Sequence, residues 1–351
     1  MSFSEIKIEL NNHPSREEWE SYVYRHPEGH LRHLPQWKEV LEDTFHYQPF
    51  YLFARNENNE LCGILSLFQV KGLLTGKRLV SLPFSNTCGP IADSDYIAGK
   101  LVDEAKRLCH ELKCSYLELR MKRLLDTDFE VNDYFSTYVL ELSGVNDEVW
   151  GKLDKKGVRW AIKKAQRDGI TVREANSMED VAYFFHKLNE KHKRDLGVPV
   201  HPFELFQAIY QRMSKFISLY FGELDGKIIG GILLLKYKDT NLYYCGAWDN
   251  GYLKYHPNSL LLWRAIEKGC EEGYRYFDFG KTSTDNVGLS HFKKDWGSER
   301  NQLYFHYYPK APKSLWLNRE GLTWRVITTV WRKLPVPLAT WLSKFAFKQL
   351  E

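Results

Sequence analysis

The sequence predicts an α+β protein of two similar domains, each a mixed, largely antiparallel sheet flanked by helices, with a helical tail. The length of 351 residues suits two domains of roughly 150 residues each. One pattern of strands, turn, helix and strand occurs twice along the chain. Apolar residues recur at helical spacing near the C-terminus. We therefore expect domains at residues 1–150 and 151–310 and an amphipathic tail at 311–351.

The chain begins with a strand and two helices. Residues 5–10 alternate charged and apolar side chains, which predicts a strand. Ser15 is a favourable N-cap for a helix over residues 16–24. A second helix opens near His33 and places Trp37 at core spacing.

The first copy of the repeat follows these helices. Residues 50–54 and 61–70 are mostly apolar, and the polar stretch 56–60 joins them, which predicts a β-hairpin. A helix is expected at residues 98–112 and a strand at 115–120.

The second copy has the same order. Residues 217–222 and 227–237 flank the turn Asp225-Gly226, and a helix at 259–272 and a strand at 274–279 come next. Antiparallel strands followed by a helix and one more strand are typical of an α+β domain and not of a doubly wound parallel sheet.

The last strand of the second copy and the segment after it contain charged residues among apolar ones. Aromatic residues surround Asp278, and the strand is expected to stop at Gly280. A polar loop at 281–286 precedes a short helical segment, in which Lys293 and Lys294 project away from the apolar face. A buried strand thus supplies a carboxylate and the segment beyond it supplies lysines, a common arrangement for a functional site. The alternative is that Asp278 caps the loop and the lysines are solvated.

Composition narrows the class of protein. Hydrophobic residues make up 43% of the chain and aromatic residues 15%, which indicates a globular protein. The net charge of +4 argues against a general nucleic-acid coating but allows a local basic stripe. The six cysteines lack metal-binding spacing, so we expect no metal and reduced thiols. No export signal is visible and the longest apolar run, 228–235, is short, so we expect a cytoplasmic protein, soluble or at the inner face of the membrane.

Four stretches resemble those of a known family. They are residues 157–169, residues 192–202, the segment from Asp225 to Gly231, and Phe277-Asp-Phe-Gly280 followed by Phe292-Lys-x-x-Trp296-Gly297. In this order they resemble the GNAT superfamily and, within it, the Fem family of aminoacyl-tRNA-dependent peptidyltransferases. The resemblance implies two tandem GNAT-like domains. The chain lacks the long coiled-coil insertion of some members and is similar to the armless subgroup.

The resemblance also implies an activity, namely transfer of an aminoacyl group from aminoacyl-tRNA to an amine of a nucleotide- or lipid-linked peptidoglycan precursor. Direct attack without a covalent enzyme intermediate is expected, because the chain has no Gly-x-Ser-x-Gly elbow and no cysteine in an activating setting. No bound cofactor is expected, and aminoacyl-tRNA is the co-substrate. Residues 248–258 lack the Gln/Arg-x-x-Gly-x-Gly/Ala pattern of acetyl-CoA users, which favours this donor.

Two other functions stay open. One is an acyl-CoA-dependent N-acyltransferase of exopolysaccharide or envelope glycan biosynthesis, which tight CoA binding would support. The other is a non-catalytic module that binds glycan or membrane as a scaffold. Loss of transfer in Lys293 or Asp278 variants with an intact fold would exclude the scaffold.

By resemblance, catalysis belongs to the second domain. Lys293 matches the lysine of the family's Phe-Lys motif, where a cation stabilises negative charge on the donor. Asp278 orients the attacking amine or takes its proton, unless it holds a structural hydrogen bond. Phe292 stacks on the terminal adenine or packs in the core. Lys281 lies in the adjoining loop and is a further donor-binding candidate.

The remaining donor contacts are expected where the strands of the second domain splay apart. Backbone amides around Gly246 are expected to hold the developing oxyanion there. Asn258 or Ser259 is expected to cap the following helix, whose N-terminus attracts a phosphate. An ordinary cap is the alternative.

By resemblance, the acceptor cleft of the family lies between the domains and draws on the first. On that ground the candidates are Trp37, Lys38 and Asn86 in the first domain and Arg194 and His201 in the second.

A basic stripe adds candidates for phosphate binding. Steps of three and four residues place five cations on one face of a helix, namely Lys152, Lys156, Arg159, Lys163 and Arg167. Of these, Arg159 and Lys163 are the candidates for contacts with an RNA acceptor stem or a nucleotide-linked substrate. A solvated face is the alternative, and Gly157 weakens the assumption of one continuous helix.

The tail is expected to form two amphipathic helices that Pro335 and Pro337 separate. Each helix has an apolar face with basic residues around it, which indicates peripheral contact with an anionic membrane. Packing on the body of the protein or on another subunit is the alternative.

Overall fold

The structure is a computed structural model that describes residues 6–72, 76–125, 128–175, 177–312 and 322–350. It divides these residues into two compact units. The first contains the described residues within 6–134, 303–312 and 346–350, and the second contains those within 135–302 and 322–345.

The first unit is formed by eight segments of strand and three α-helices among the described residues. In chain order these are β1 (Lys7–Leu10), α1 (Arg16–Arg25), α2 (Pro35–Phe45), β2 (Gln48–Arg55), β3 (Leu61–Gly72), β4 (Gly76–Val80), β5 (Ile91–Ala92), α3 (Asp95–Glu111), β6 (Leu117–Met121), the beginning of β7 (Glu130–Glu141) and the end of β13 (Glu299–Tyr308). The Ser15 hydroxyl accepts a hydrogen bond from the Glu18 N–H at 3.1 Å, which confirms the expected N-cap of α1.

The second unit begins within β7 and has more helices. Its further elements are α4 (Asn146–Lys152), α5 (Val158–Arg167), β8 (Thr171–Ala175), α6 (Met178–Tyr183), α7 (Glu190–Leu196), α8 (Phe203–Met213), β9 (Ile217–Leu224), β10 (Lys227–Tyr237), β11 (Thr240–Trp248), α9 (Pro257–Glu271), β12 (Tyr276–Ser283), α10 (Val287–Lys294), the beginning of β13, α11 (Leu322–Lys333) and most of α12 (Val336–Leu350). A π-helical turn, Phe184–Asn189, joins α6 to α7.

The two units repeat one strand order, which confirms the α+β class and the repeated pattern. The first unit has the order β1-β2-β3-β4-β6-β13, and β5 pairs with β3 at the side. The second has the order β8-β9-β10-β11-β12-β7. In each unit the fourth and fifth strands pair in parallel, β4 with β6 and β11 with β12. Both expected hairpins, β2–β3 and β9–β10, are present.

The parallel pairs are short, and the chain after them differs between the units. In the first unit the ladder covers Leu79 and Val80, and the loop beyond it is bonded to β6, where Ser81 N–H donates to the Glu118 carbonyl at 2.8 Å. In the second unit the ladder covers Thr240–Leu242 and ends opposite Asp278. The expected splay of strands β11 and β12 therefore begins at a carboxylate.

Apolar residues cover both faces of the sheet in the second unit. On one face α5 and α9 pack over a core that includes the fully buried Phe277 and Trp296. On the other face the segment from α6 to α8 packs over a second cluster that includes Phe184 and Phe221. Such double coverage holds the central strands rigidly, which fixes the position of any residue at their ends.

Candidate functional site

Asp278 stands at the last position where β12 pairs with β11, and two donors hold it. The Thr137 hydroxyl on β7 donates to Asp278 Oδ1, and the backbone N–H of Gly280 donates to the same oxygen at 2.7 Å. Thr137 is buried and Asp278 is half-buried. The carboxylate is therefore fixed in direction at the point where β11 and β12 part.

Gly280 does not end the strand, so that expectation was wrong. Strand β12 continues to Ser283, and its pairing with β7 shifts register between Asp278 and Lys281. Gly280 has φ +76°, a conformation that glycine adopts without the steric cost of a side chain. The glycine therefore forms a bulge that bends the strand and lets its N–H turn back to Asp278.

Lys293 is buried, which corrects the expectation that it projects away from the core. Its side chain is only 5% exposed, whereas the neighbouring Lys294 is exposed. The Lys293 Nζ donates to the carbonyl oxygen of Gly280 at 2.7 Å and lies 5.7 Å from the centre of the Tyr138 ring. Helix α10 ends at Lys294, so Lys293 is in its last turn and can turn inward beneath the bulge.

Burial lowers the pKa of Lys293 to about 8, and the Asp278 carboxylate opposes this by favouring the charged form. A lysine with this pKa is mostly protonated at neutral pH, yet it can give up a proton at modest cost. Gly280 joins the two side chains, because its N–H donates to Asp278 and its carbonyl accepts from Lys293. We refer to Asp278, Gly280 and Lys293 as the bulge triad.

A polar cavity of about 160 Å³ adjoins the bulge triad. Tyr138, whose ring lies beside the Lys293 ammonium, forms part of its wall. Its other lining residues are mainly hydroxyl-bearing or basic: Ser136, Thr282, Ser283, Thr284, Val287, Ser290, His291, Lys294 and Arg300. Hydroxyl donors together with cations are suited to a phosphate or a ribose.

Arg300 also lines this cavity, and no sequence pattern predicted it. The Arg300 guanidinium donates to the Ser136 hydroxyl at 2.7 Å and to Gln302 Oε1 at 3.0 Å. The buried Thr282 hydroxyl also lines the cavity and has no hydrogen-bond partner among the described residues. Arg300 and Ser136 are 164 positions apart, so no local pattern connects them. The only available signal was that Arg300 closely follows the Phe-Lys motif.

Two expected donor residues lie close to the bulge triad. Phe292 is half-buried, and its ring centre lies 6.2 Å from that of Trp296 at the edge of the core. Lys281 follows Gly280 on β12, and its Nζ lies 4.5 Å from the centre of the Phe135 ring.

Gly246 lies on β11 opposite Ile232. A Cβ atom at Gly246 would come within 2.3 Å of the Tyr243 hydroxyl, so only glycine leaves room for this tyrosine. Burial lowers the pKa of Lys193, and its electrostatic interaction with Cys245 of β11 opposes this shift. Lys193 lies in residues 192–202, one of the stretches that carry the family resemblance.

The expected cap of α9 was wrong. The helix begins at Pro257 with His256 as its N-cap, so Asn258 and Ser259 are its second and third residues. Proline fits the first helical position because it has no N–H to satisfy there. In the described part of the chain, no hydrogen bond or ion pair joins Asn258 or Ser259 to the bulge triad.

The basic stripe does not lie on one helix. Helix α4 ends at Lys152 and α5 begins at Val158, because Leu153 is buried and Gly157 serves as the N-cap of α5. Arg159 donates to the Leu153 carbonyl at 2.9 Å, which ties the two helices together. Lys163 is exposed, with its Nζ 5.9 Å from the centre of the Trp150 ring.

The acceptor candidates fall in both units. In the first, Trp37 is fully buried, Lys38 pairs with Glu42 at 2.8 Å, and Asn86 is half-buried in a loop. The buried ring of Trp37 favours packing over contact with a ligand. In the second unit His201 is half-buried just before α8.

Arg194 has a structural contact. Its guanidinium donates to the Leu334 carbonyl at 3.2 Å, beyond the end of α11. Cations at a helix C-terminus satisfy carbonyls that the helix leaves without partners.

Three potential metal ligands meet in the first unit. His30, His33 and Cys88 offer ligand atoms within 4.8 Å of one another. His30 Nδ1 accepts from Arg32 N–H and His33 Nδ1 accepts from His30 N–H, both at 3.2 Å. Burial raises the pKa of the Cys88 thiol well above its usual range, which disfavours the thiolate that binds metals. These groups therefore fit a hydrogen-bonded turn better than a metal centre.

Known proteins share the fold and part of the sequence of this chain. The family described as "Acetyltransferase (GNAT) domain" matches residues 154–294, which include Asp278 and Lys293. A lipid II:glycine glycyltransferase from Staphylococcus epidermidis is 21% identical over 378 aligned residues, covering 81% of this chain and 88% of the relative. The crystal structure of FemX has a TM-score of 0.69 at 17% identity and covers 85% of this chain and 96% of FemX. The chain has the fold of the Fem-type tandem GNAT proteins, and its residues 154–294 match the GNAT domain.

Other solved structures share this Fem-type fold. A tandem GNAT protein from the clavulanic acid biosynthesis pathway has a TM-score of 0.52 at 12% identity, and it covers 88% of this chain and 100% of that one. The match to the GNAT domain makes this protein an acyltransferase. Within its GNAT match lie the splayed strands, the bulge triad and most of the cavity lining.

Proposed function

We propose that this Fem-type acyltransferase moves an aminoacyl group from aminoacyl-tRNA to an amine of a lipid-linked peptidoglycan precursor. The observation that carries the proposal is the bulge triad, in which a buried lysine with a pKa of about 8 is linked through Gly280 to Asp278 beside a cation-lined cavity. The name of the Staphylococcus epidermidis relative, a lipid II:glycine glycyltransferase, supports the acceptor class.

The proposed chemistry is aminolysis of an ester. The acceptor amine attacks the ester carbonyl of the donor, a C–N amide bond forms, and the C–O bond to the terminal ribose breaks. The amine loses a proton and the ribose oxygen gains one. Asp278, held by Thr137 and Gly280 through one oxygen, accepts the proton of the amine through its other oxygen. Lys293 stabilises charge on the leaving ribose oxygen and donates a proton to it.

The cavity beside Tyr138 is the proposed place of the donor's 3′-terminal nucleotide. Its hydroxyls match a ribose, and Arg300, Lys294 and His291 match phosphates. The 3′ end of a tRNA is single-stranded, so each phosphate contact contributes salt-sensitive affinity. Phe292 lies on α10, partly packed against the core, and is the proposed stacking partner of the adenine.

An acyl-CoA donor is the second candidate, because the matching family is described as an acetyltransferase domain. The connection from β11 to α9 bears on this choice. It forms a 3₁₀-helical turn, Asn250–Tyr255, and α9 then begins with a proline. This connection does not provide the glycine-rich backbone that cradles a pyrophosphate.

The test is a transfer assay with labelled amino acids on total tRNA and, in parallel, labelled acetyl-CoA. Purified lipid-linked muropeptide in detergent micelles serves as the acceptor. We expect label from aminoacyl-tRNA in the muropeptide and none from acetyl-CoA. Lys293→Met removes the buried cation at similar volume, and Lys294→Met is the matched control on the exposed neighbour.

Transfer that survives in Lys293→Met would contradict the assigned chemistry. Transfer from acetyl-CoA but not from aminoacyl-tRNA would replace the donor with acyl-CoA. A labelled nucleotide-linked precursor, assayed beside the lipid-linked one, decides between the two forms of the acceptor.

A further inference from the structure

Helices α11 and α12 direct large apolar side chains outward. Six such residues are between 42% and 58% exposed: Val326, Ile327, Val330, Leu338, Trp341 and Phe345. On α12 the exposed positions follow steps of three and four and therefore lie on one face. An ordinary surface helix shows the opposite arrangement, with its polar face in water.

The inward sides of both helices are fixed to the second unit by small or polar groups. Ala339 and Ser343 are buried, and the Ser343 hydroxyl accepts from the Val200 N–H at 3.1 Å. Arg194 donates to the Leu334 carbonyl at 3.2 Å, between the two helices. The inward sides of both helices thus pack on the second unit, and their apolar outward faces remain exposed.

The positive charge of residues 322–350 indicates the kind of partner that the exposed face would bind. Residues 322–350 contain five cations, Arg325, Arg332, Lys333, Lys344 and Lys348, and no aspartate or glutamate. A second copy packed face to face would bring like charges together, which disfavours a symmetric dimer through this surface. An anionic lipid surface combines negative charge with an apolar interior and matches both features.

We propose that the outward faces of α11 and α12 dock this protein on an anionic membrane surface. Trp341 and Phe345, whose ring centres are 5.0 Å apart, enter the interfacial zone, and Arg325 and Lys333 contact lipid headgroups. In the described part of the chain no helix is long and apolar enough to cross a bilayer, so the helices lie along the surface. This surface goes beyond the proposed transfer reaction and does not depend on it.

The experiment is sedimentation of the full-length protein with vesicles of pure phosphatidylcholine and of phosphatidylglycerol with phosphatidylcholine, at low and high salt. We expect binding to the anionic vesicles, weaker binding at high salt, and little binding to the neutral ones. The double variant Trp341→Ala, Phe345→Ala should bind the anionic vesicles about tenfold more weakly, because apolar insertion is lost. Trp160→Ala is the matched control, since Trp160 is 51% exposed on α5.

A second variant tests the charges alone. Arg325→Glu with Lys333→Glu should abolish the salt-sensitive part of the binding and leave the unfolding temperature unchanged, since both side chains are exposed. Absence of wild-type binding to anionic vesicles would overturn the proposal, as would an equal loss in Trp160→Ala. A dimer in sedimentation velocity that dissociates in the Trp341→Ala, Phe345→Ala variant would assign the face to a second copy instead.

Discussion

Lys293 donates a hydrogen bond to the carbonyl oxygen of Gly280 at 2.7 Å from within the core of the second unit. That bond connects it to Asp278, because the N–H of Gly280 donates to the carboxylate. A buried cation needs such partners, since burial without them would favour the neutral amine more strongly. The site therefore retains a charged lysine at neutral pH with a pKa close to the working range.

The pH dependence of transfer should report Lys293. Burial lowers its pKa to about 8, so the ammonium is lost as the pH rises through that value. We expect kcat/KM to fall above about pH 8, with the slope of a single deprotonation. Lys293→Arg keeps its charge to far higher pH, so whatever activity it retains should show no decline there. A decline at the same pH in Lys293→Arg would assign it to another group.

Asp278→Asn should shift the high-pH decline in the rate of transfer to lower pH. The Asp278 carboxylate raises the pKa of Lys293 against the effect of burial, so removal of its charge lets that pKa fall below about 8. Asparagine retains an oxygen that accepts from Thr137 and from Gly280 N–H, so the geometry of the bulge should persist. The measurement is the pH profile of single-turnover transfer. An unshifted decline would show that the two side chains are not coupled.

Much of the fold was accessible from local sequence patterns. The hairpins, the cap at Ser15 and the break between α11 and α12 each depend on a few neighbouring residues, and each is present. The strand at Asp278 was also found, because aromatic residues mark it. Asp278 and Lys293, 15 positions apart, were chosen by resemblance to one motif, and the structure brings both to Gly280.

The other features of the site depend on contacts between residues distant in sequence, which local spacing cannot predict. Helical spacing predicted an outward Lys293, but the bulge at Gly280 presents a carbonyl that draws the side chain inward. The hydrogen bond between Arg300 and Ser136 joins β13 to β7. These strands are far apart in the sequence, so local spacing cannot predict the contact. The prediction that the basic stripe lies on one helix was wrong, because the chain turns inward at the buried Leu153 and α4 ends there.

Arg300→Gln should weaken binding of the donor. In the cavity Arg300 is proposed to contact a phosphate, so its loss should raise the KM for aminoacyl-tRNA and leave kcat nearly unchanged. The slope of log affinity against log salt should fall by about 0.7, the value for one single-strand phosphate contact. Lys268→Gln on α9 is a control, since Lys268 is 44% exposed and does not line the cavity. An unchanged slope in Arg300→Gln would place the phosphate elsewhere.

The stability of the protein should also depend on Lys293 in a pH-specific way. Its folded pKa of about 8 lies below the ordinary value of 10.5, so between these values the unfolded chain binds more protons. Stability relative to Lys293→Met should therefore rise with pH, by about 2 kcal/mol between about pH 8 and 9.5. Denaturant unfolding at several pH values measures this difference. Lys294 is exposed, so Lys294→Met is the matched control. The difference in free energy of unfolding between wild type and this variant should not change with pH.

Gly280→Ala should separate the geometry of the bulge from its contribution to stability. Gly280 has φ +76°, and Gly273 has φ +79° with open space where a Cβ would lie. Alanine at either position should destabilise the fold by about 1 kcal/mol through backbone strain. Only Gly280→Ala should also misplace the N–H and carbonyl that hold Asp278 and Lys293, with a loss in kcat of about 100-fold. Unfolding curves and transfer rates for both variants check this, and equal activity in the two would contradict a role for the bulge in catalysis.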